Sequence, residues 1–333
     1  MTGRRALLLS LSGMMWGAAA LAQGPARPDR GPWRVGVLRP SGVTDIERID
    51  TALRTLGYEP GRDVTVDIRF AGGDVARLPV LARELIQRKP DVAIAVGEAA
   101  TRAVRSVSDT VPLIIFGNFD PVSAGLVQSL ARPGRNTTGI MISSEGTLAG
   151  KKLELLKEAV PGLQRVGVLT PDDPAIRTQL EEIRRAAAAL GVEVLFVEVR
   201  DGHYEPAFAK QLIDAIHAAG GRVGAVLVAA HTFFVRDRRA IIDLARSTRL
   251  PAIYEWPDQV RDGGLMSYGP PGLDAMWRRI AEYVDRILKG AQAGDLPIEL
   301  PFRLELAINL QSARAIGFTV PPVLLARATE IID

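Results

Sequence analysis

The chain contains no cysteine in 333 residues and only three histidines. Without cysteine there is no disulfide framework, no thiol nucleophile and no lipid-attachment residue of the bacterial lipoprotein kind. His203, His217 and His231 are too scattered to give the spacing of a zinc site. Aromatic residues make up 5% of the chain, too few for a base-stacking platform. Charge of one sign is also lacking. Lys and Arg number 41 against 38 Asp and Glu, and two of the arginines, Arg4 and Arg5, fall in a segment read below as removed. So even a balance argues against nucleic acid or an anionic membrane surface as a partner. There is no Gly-x-Ser-x-Gly elbow, no Gly-x-x-x-x-Gly-Lys-Ser/Thr loop and no Gly-x-Gly-x-x-Gly after a strand. These gaps predict a protein that is not an enzyme, with no catalytic residue, metal or cofactor.

What the chain has is an ordinary soluble composition, 47% hydrophobic and 24% charged, and length enough for two cores. Its first residues are the exception. Arg4-Arg5 precedes an apolar run, Ala6 to Leu21, and Ala20-Leu21-Ala22 stands just before Gln23. A basic start, an apolar middle and small residues at −3 and −1 describe a secretory signal, residues 1–22, cleaved after Ala22. The run is shorter than the ~20 residues of a spanning helix, and Ser10, Ser12, Gly13 and Gly17 dilute it. The arginine pair leaves the general and twin-arginine export routes open. An exported, untethered protein stays useful only in a confined space, so the periplasm is the expected address. Residues 23–32 are rich in Pro, Gly and Arg and form a flexible lead-in.

The body of the chain is one unit written twice. Arg34-Val-Gly-Val-Leu-Arg-Pro40 returns as Arg165-Val-Gly-Val-Leu-Thr-Pro171. A helix ending at Leu56-Gly57 is echoed by one ending at Leu190-Gly191, and Val111–Asp120 by Leu250–Trp256. Apolar runs rich in β-branched residues alternate with helical periodicities such as Ile46, Ile49, Leu53 and Leu56. That alternation predicts βαβ units and parallel sheets covered on both faces. The fold class is α/β: two Rossmann-like lobes with parallel central sheets, joined by several crossover hinge segments. The helix Ala275–Leu288 and the stretch after it do not fit the repeat, so the chain is expected to cross back. Lobe one takes residues 33–144 plus about 271–292, and lobe two takes 145–270 plus about 293–333.

Ligands of open parallel sheets bind at the carboxyl ends of the strands. In lobe one that rule selects Pro40-Ser41-Gly42, Gly97-Glu98-Ala99 and Asn118-Phe119-Asp120. In lobe two it selects Thr170 to Asp173, including Asp172, then Ala230-His231-Thr232 and Glu255-Trp256, with Tyr268 near the crossover. Gly97 to Ala99 runs from a strand into a helix N-terminus, whose N–H groups suit a carboxylate; a tight turn is the rival reading. Asp120 and Glu255 are acids at equivalent positions of the two repeats, and either could hold an ammonium. The rival reading of Asp120, which precedes Pro121, is a cap. Trp256 and Tyr268 could form an aromatic wall or pack in the core.

The chain resembles a known family through a series of motifs in order. They are Leu56-Gly57-Tyr58, Gly61-Arg62-Asp63-Val64, Gly73-Asp74 with Arg77-Leu78-Pro79, Asp120-Pro121-Val122, and Leu130 to Gly139. Lys152 to Glu158, Pro251 to Glu255, Gly264 to Gly269 and Ala307 to Leu310 continue the series. The family is the bacterial ABC-transporter substrate-binding proteins of the tryptophan and aromatic-amino-acid-binding-like group, with type I periplasmic-binding-protein architecture. The resemblance covers nearly all of the chain after the signal. It implies a receptor, taken as a monomer, that closes on a small organic solute and docks on an inner-membrane ABC permease. Carried over by position, its candidate ligand residues are Ser41, Gly97 to Ala99, Asp120, Glu255 and Tyr268. Members often have Thr-Pro or Ser-Pro after the third-strand glycine, where this chain has Glu98-Ala99. A carboxylate there would repel an acidic ligand group unless it points away or is protonated. A periplasmic sensor serving a membrane receptor is the alternative function. A two-lobed nucleotide-sugar transferase fits less well, because it would work in the cytoplasm.

Overall fold

The computed structural model describes residues 31–40, 46–142, 148–172, 176–199, 224–300 and 303–333. Residues 1–22, Ser41, Gly42, Asp173, His203 and His217 of the sequence reading lie outside them, as does all but the end of the lead-in.

The chain begins with β1 (Trp33–Arg39), α1 (Ile46–Thr55), β2 (Val64–Phe70), α2 (Leu78–Gln87), β3 (Val92–Val96), α3 (Glu98–Arg105), β4 (Leu113–Gly117) and β5 (Thr137–Met141). It continues with α4 (Ala149–Ala159), β6 (Arg165–Pro171), α5 (Arg177–Leu190), β7 (Glu193–Val199), β8 (Ala225–Val228), α6 (Thr232–Arg236), α7 (Arg238–Thr248), β9 (Ala252–Tyr254), α8 (Pro257–Arg261) and β10 (Met266–Gly269). The last part is α9 (Leu273–Leu288), β11 (Ile298–Glu299), β12 (Glu305–Asn309), α10 (Leu310–Ile316), α11 (Pro322–Arg327) and β13 (Glu330–Ile332).

Two sheets result, ordered β11-β5-β4-β3-β1-β2 and β13-β12-β10-β9-β8-β6-β7. The repeat is visible in that order: β2-β1-β3-β4-β5 in one sheet corresponds to β7-β6-β8-β9-β10 in the other. Even the opening registers agree, Trp33 facing Val64 through Arg39 facing Phe70, and Arg165 facing Glu193 through Pro171 facing Val199. Every described pairing is parallel except β10 with β12. Parallel strands covered on both faces must be apolar on both, and these are. Val35, Ile94, Ile114 and Phe116 pack on one side of the first sheet, Leu38, Ala93, Ala95 and Ile115 on the other. In the second sheet Val168, Leu227 and Ile253 oppose Leu169, Val228 and Tyr254 in the same way.

The sheets exchange chain three times, after β5, after β10 and after β11. Helix α9 packs on α1 and the first sheet although it follows a strand of the second. It buries Trp277, Ile280, Tyr283 and Val284 along one stripe; each contributes about 1.5–3 kcal/mol by leaving water. The return to the second sheet, expected near residue 293, falls after Glu299. β11 pairs with β5, Ile298 N–H donates to the Leu130 carbonyl, and Tyr283 Oη donates to the Pro297 carbonyl. A two-residue strand between prolines has no periodicity that a sequence could display. Among the described residues, no helix is long and apolar enough to cross a membrane.

Candidate functional site

A cavity of about 610 Å³ lies between the carboxyl ends of the two sheets. The first lobe contributes Arg39 and Pro40 from β1, Gly97 to Ala99 and Arg102 from the β3–α3 junction, and Phe116 to Asp120 from β4. The second contributes Ile176, Thr178 and Gln179 before and within α5, Ala230 to Thr232 after β8, and Glu255 and Trp256 after β9. Of the candidates named from sequence, Pro40, Gly97, Glu98, Ala99, Asn118, Phe119, Asp120, Ala230, His231, Thr232, Glu255 and Trp256 meet here. Thr170 is buried within the end of β6, Asp172 is exposed beyond it, and Tyr268 packs between the two cores; none of these three lines the cavity.

Each lining segment is held by a specific local device. Gly97 has φ +86°, a backbone state that glycine adopts at no steric cost, and its N–H donates to the Phe116 carbonyl at 2.7 Å. That turn drives β3 directly into α3. Glu98 then folds back along its own helix. Its carboxylate accepts from Arg102 Nε at 2.8 Å, and Arg102 also donates to the Ala124 carbonyl at 2.9 Å. The charge at Glu98 is thereby paired within α3. Asp120 is spent as a cap: Oδ1 accepts from the N–H groups of Val122 and Ser123, and Oδ2 from the Ser123 hydroxyl. Those bonds, the hydroxyl foremost, hold its proton affinity below the usual carboxylate range.

On the other side, Gln179 clamps the β8 turn. Its amide donates to the Ala230 carbonyl at 3.1 Å and accepts from the Ala230 N–H at 2.7 Å. His231 caps α6, its Nδ1 accepting from the Phe233 N–H at 3.3 Å. Gln259 does the same work for β9, accepting from the N–H groups of Glu255 and Trp256 at 3.3 and 3.1 Å. Gly269 of β10 passes so close to Glu255 that a Cβ there would sit 2.1 Å from its carbonyl oxygen.

The floor of the cavity joins the lobes. Asn118 Nδ2 donates to Glu255 Oε1 at 3.3 Å, while Asn118 Oδ1 is buried without a partner. Trp256 packs among first-lobe side chains, its ring centroid 6.4 Å from that of Phe116, which in turn lies 6.1 Å from Trp277. Glu255 is only 4% exposed, and burial raises its proton affinity, an effect opposed by the nearby charge of Lys152. Phe116, Phe119, Trp256, Ile142 and Val235 make the walls apolar and partly aromatic, with polar groups confined to a few points. That is the construction of a small-molecule site.

The strand-end rule selects Phe119 but not Arg39, Arg102, Thr178, Gln179 or the apolar walls Phe116, Ile142 and Val235. Arg39 is within its reach, one residue before Pro40, where the rule begins. Gln179 gives no signal, because nothing in α5 marks its first turn as facing a cleft. Among the described residues, no three His, Cys, Asp or Glu side chains gather closely enough to hold a metal ion.

Comparison with known proteins gives the same architecture. The family described as ABC transporter substrate binding protein matches residues 36–332. A tyrosine-binding protein of Clostridioides difficile is 24% identical over 266 residues, spanning 80% of this chain and 74% of the relative. A conserved domain protein from Vibrio cholerae superposes with a TM-score of 0.75 at 25% identity, covering 90% of this chain and 99% of its own. An ABC domain from Streptococcus pneumoniae in complex with L-Trp gives 0.71 at 22% identity, covering 90% and 100%. The fold is that of the type I periplasmic binding proteins.

Proposed function

Since the chain belongs to the ABC transporter substrate-binding protein family, we propose that it is a periplasmic receptor that closes its two lobes on a small organic solute and delivers it to an inner-membrane permease. The observation that carries the reading is the cavity between the strand ends, built from both lobes with aromatic walls and a few fixed polar groups. Its solute is an amino acid or a related compound with an aromatic or apolar body. Phe116, Phe119 and Trp256 match such a body in chemistry, and the relatives named for tyrosine and L-Trp favour the same class. Glu255 receives the solute's amine; Asp120, with both oxygens engaged in its own turn, serves the wall instead.

The signal-like residues 1–22 support export, and the receptor is proposed to work as a monomer. Solute capture is its activity, and no bond is made or broken. A thermal-unfolding screen of the chain from Gln23 onward, against amino acids, aromatic acids, purines and small organic acids, tests the reading. A solute at ~100 times its dissociation constant stabilises by about 2.7 kcal/mol. A saturable shift confined to aromatic amino acids supports the proposal; a folded protein that responds to no member of the panel contradicts it.

A further inference from the structure

Among the described residues, Lys152 is the one fully buried cation, and it is not part of the cavity walls. It lies in the first turn of α4, has no exposed surface, and its Nζ has no hydrogen-bond partner. An ammonium in that position persists only beside an opposite charge. Two carboxylates act on it, Glu255 and Glu182. Glu182 already accepts from the Gly150 N–H at 3.2 Å and so helps to hold the start of α4. Glu255 is the buried partner. Strand alternation puts it on the face of β9 that carries Ile253, which packs with Leu153 and Leu156 of α4. Its carboxyl therefore has the lysine's helix behind it and the cavity before it.

We propose that Lys152 is a positioning residue, the buried counter-charge that keeps Glu255 ionised and directed into the cavity, so that the site selects solutes carrying a protonated amine. The inference rests on the receptor reading above. Burial pushes the Glu255 carboxyl up and the Lys152 ammonium down, and each charge restrains the shift of the other. The remaining charged or titratable groups of the cavity are Arg39, Glu98, Arg102, Asp120 and His231. Glu98 and Arg102 pair with each other, Asp120 is engaged in its turn, and His231 caps α6. On α8, which follows Glu255, Asp258 is bonded to the Leu273 N–H and to Arg48. Removing Lys152 leaves Glu255 a buried carboxyl with no opposing charge behind it, and such a group takes up a proton.

The test uses the chain from Gln23 onward with Lys152→Met, Glu255→Gln and both together. The Glu255 carboxyl resonance, assigned by its loss in Glu255→Gln, is followed against pH by carbon NMR without solute. Lys152→Met is expected to raise its midpoint by about one pH unit or more, the usual effect of a charge at close range. At neutral pH the same substitution weakens L-tryptophan about tenfold or more. Indole-3-propionate, which keeps the ring and carboxylate but lacks the amine, changes little. The double variant regains the thermal stability lost in Lys152→Met, because no buried carboxyl remains that must take up a proton on folding. An unmoved midpoint, an equal loss for both indoles, or a double variant no more stable than Lys152→Met each overturns the proposal. If Lys152→Met does not fold, folding of the double variant supports the pairing and its failure contradicts it. A moved midpoint in a protein that binds neither indole supports the pairing and counts against the receptor reading alone.

Discussion

Asn118 at the end of β4 and Glu255 at the end of β9 meet across the two lobes, amide nitrogen to carboxyl oxygen at 3.3 Å. It is a side-chain tie at the cavity floor. A lobe-to-lobe hydrogen bond at that place favours the lobe arrangement seen here over a more open one, and on the proposed receptor reading it leaves the Glu255 carboxyl beside the place a solute would take.

Asn118→Ala removes the tie. A net hydrogen bond is worth about 0.5–1.5 kcal/mol, and 1 kcal/mol changes a two-state ratio about fivefold. The solute-free variant is expected to be more open, with a larger radius of gyration by small-angle scattering, while its melting temperature stays close to that of the parent. An identical scattering curve would show that the bond has no part in closure.

Glu255 also makes stability depend on pH, with a definite sign. Its folded-state proton affinity is raised above the ordinary value of 4.5. Between those two values the native state binds more protons than the unfolded state, so stability falls as pH rises through that window. Glu255→Gln should flatten this segment of the profile, measured as urea midpoints from about pH 4 to pH 8. A profile of unchanged slope would mean that another group dominates.

Gly269→Ala tests how Glu255 is placed. A Cβ would lie 2.1 Å from the Glu255 carbonyl oxygen, so β9 and β10 must separate to admit it. Overpacking of this kind costs about 1–3 kcal/mol. Urea unfolding should show that loss, together with weaker solute binding because the carboxyl has shifted. Wild-type stability in this variant would mean that the strands yield easily.

Gln179→Leu removes both bonds to Ala230, a half-buried residue of the cavity wall. A net hydrogen bond is worth about 0.5–1.5 kcal/mol, since water can reach the groups left behind. The expected result is a lower melting temperature and faster amide exchange at Ala230 and His231. Unchanged exchange would place the rigidity of that turn elsewhere.

The strand ends were legible because of the repeat. Arg34–Pro40 and Arg165–Pro171 are buried runs on both faces, and the shared β2-β1-β3 and β7-β6-β8 order follows from like sequences folding alike. The strand-end rule then located Gly97, Asn118, His231, Glu255 and Trp256 at the cavity. It could not separate a residue that faces the cleft from one that ends a strand elsewhere, hence Thr170 and Tyr268. Clamps such as Gln179 and Gln259 act by side-chain reach across elements, and no spacing rule records reach. Lys152 is the extreme case: a lysine in a helical run is normally solvated, and only the packing of α4 under β9 buries it.

The most direct test of the account is the distance between the lobes, and the absence of cysteine makes it clean. Val122→Cys and Arg239→Cys put one spin label on an exposed position of each lobe, outside the cavity walls. Double electron–electron resonance should give a broad distribution without solute that narrows and shortens on saturation with L-tryptophan or with the aromatic solute selected by the screen. A distribution that no solute in the panel alters would contradict a receptor that closes on its ligand.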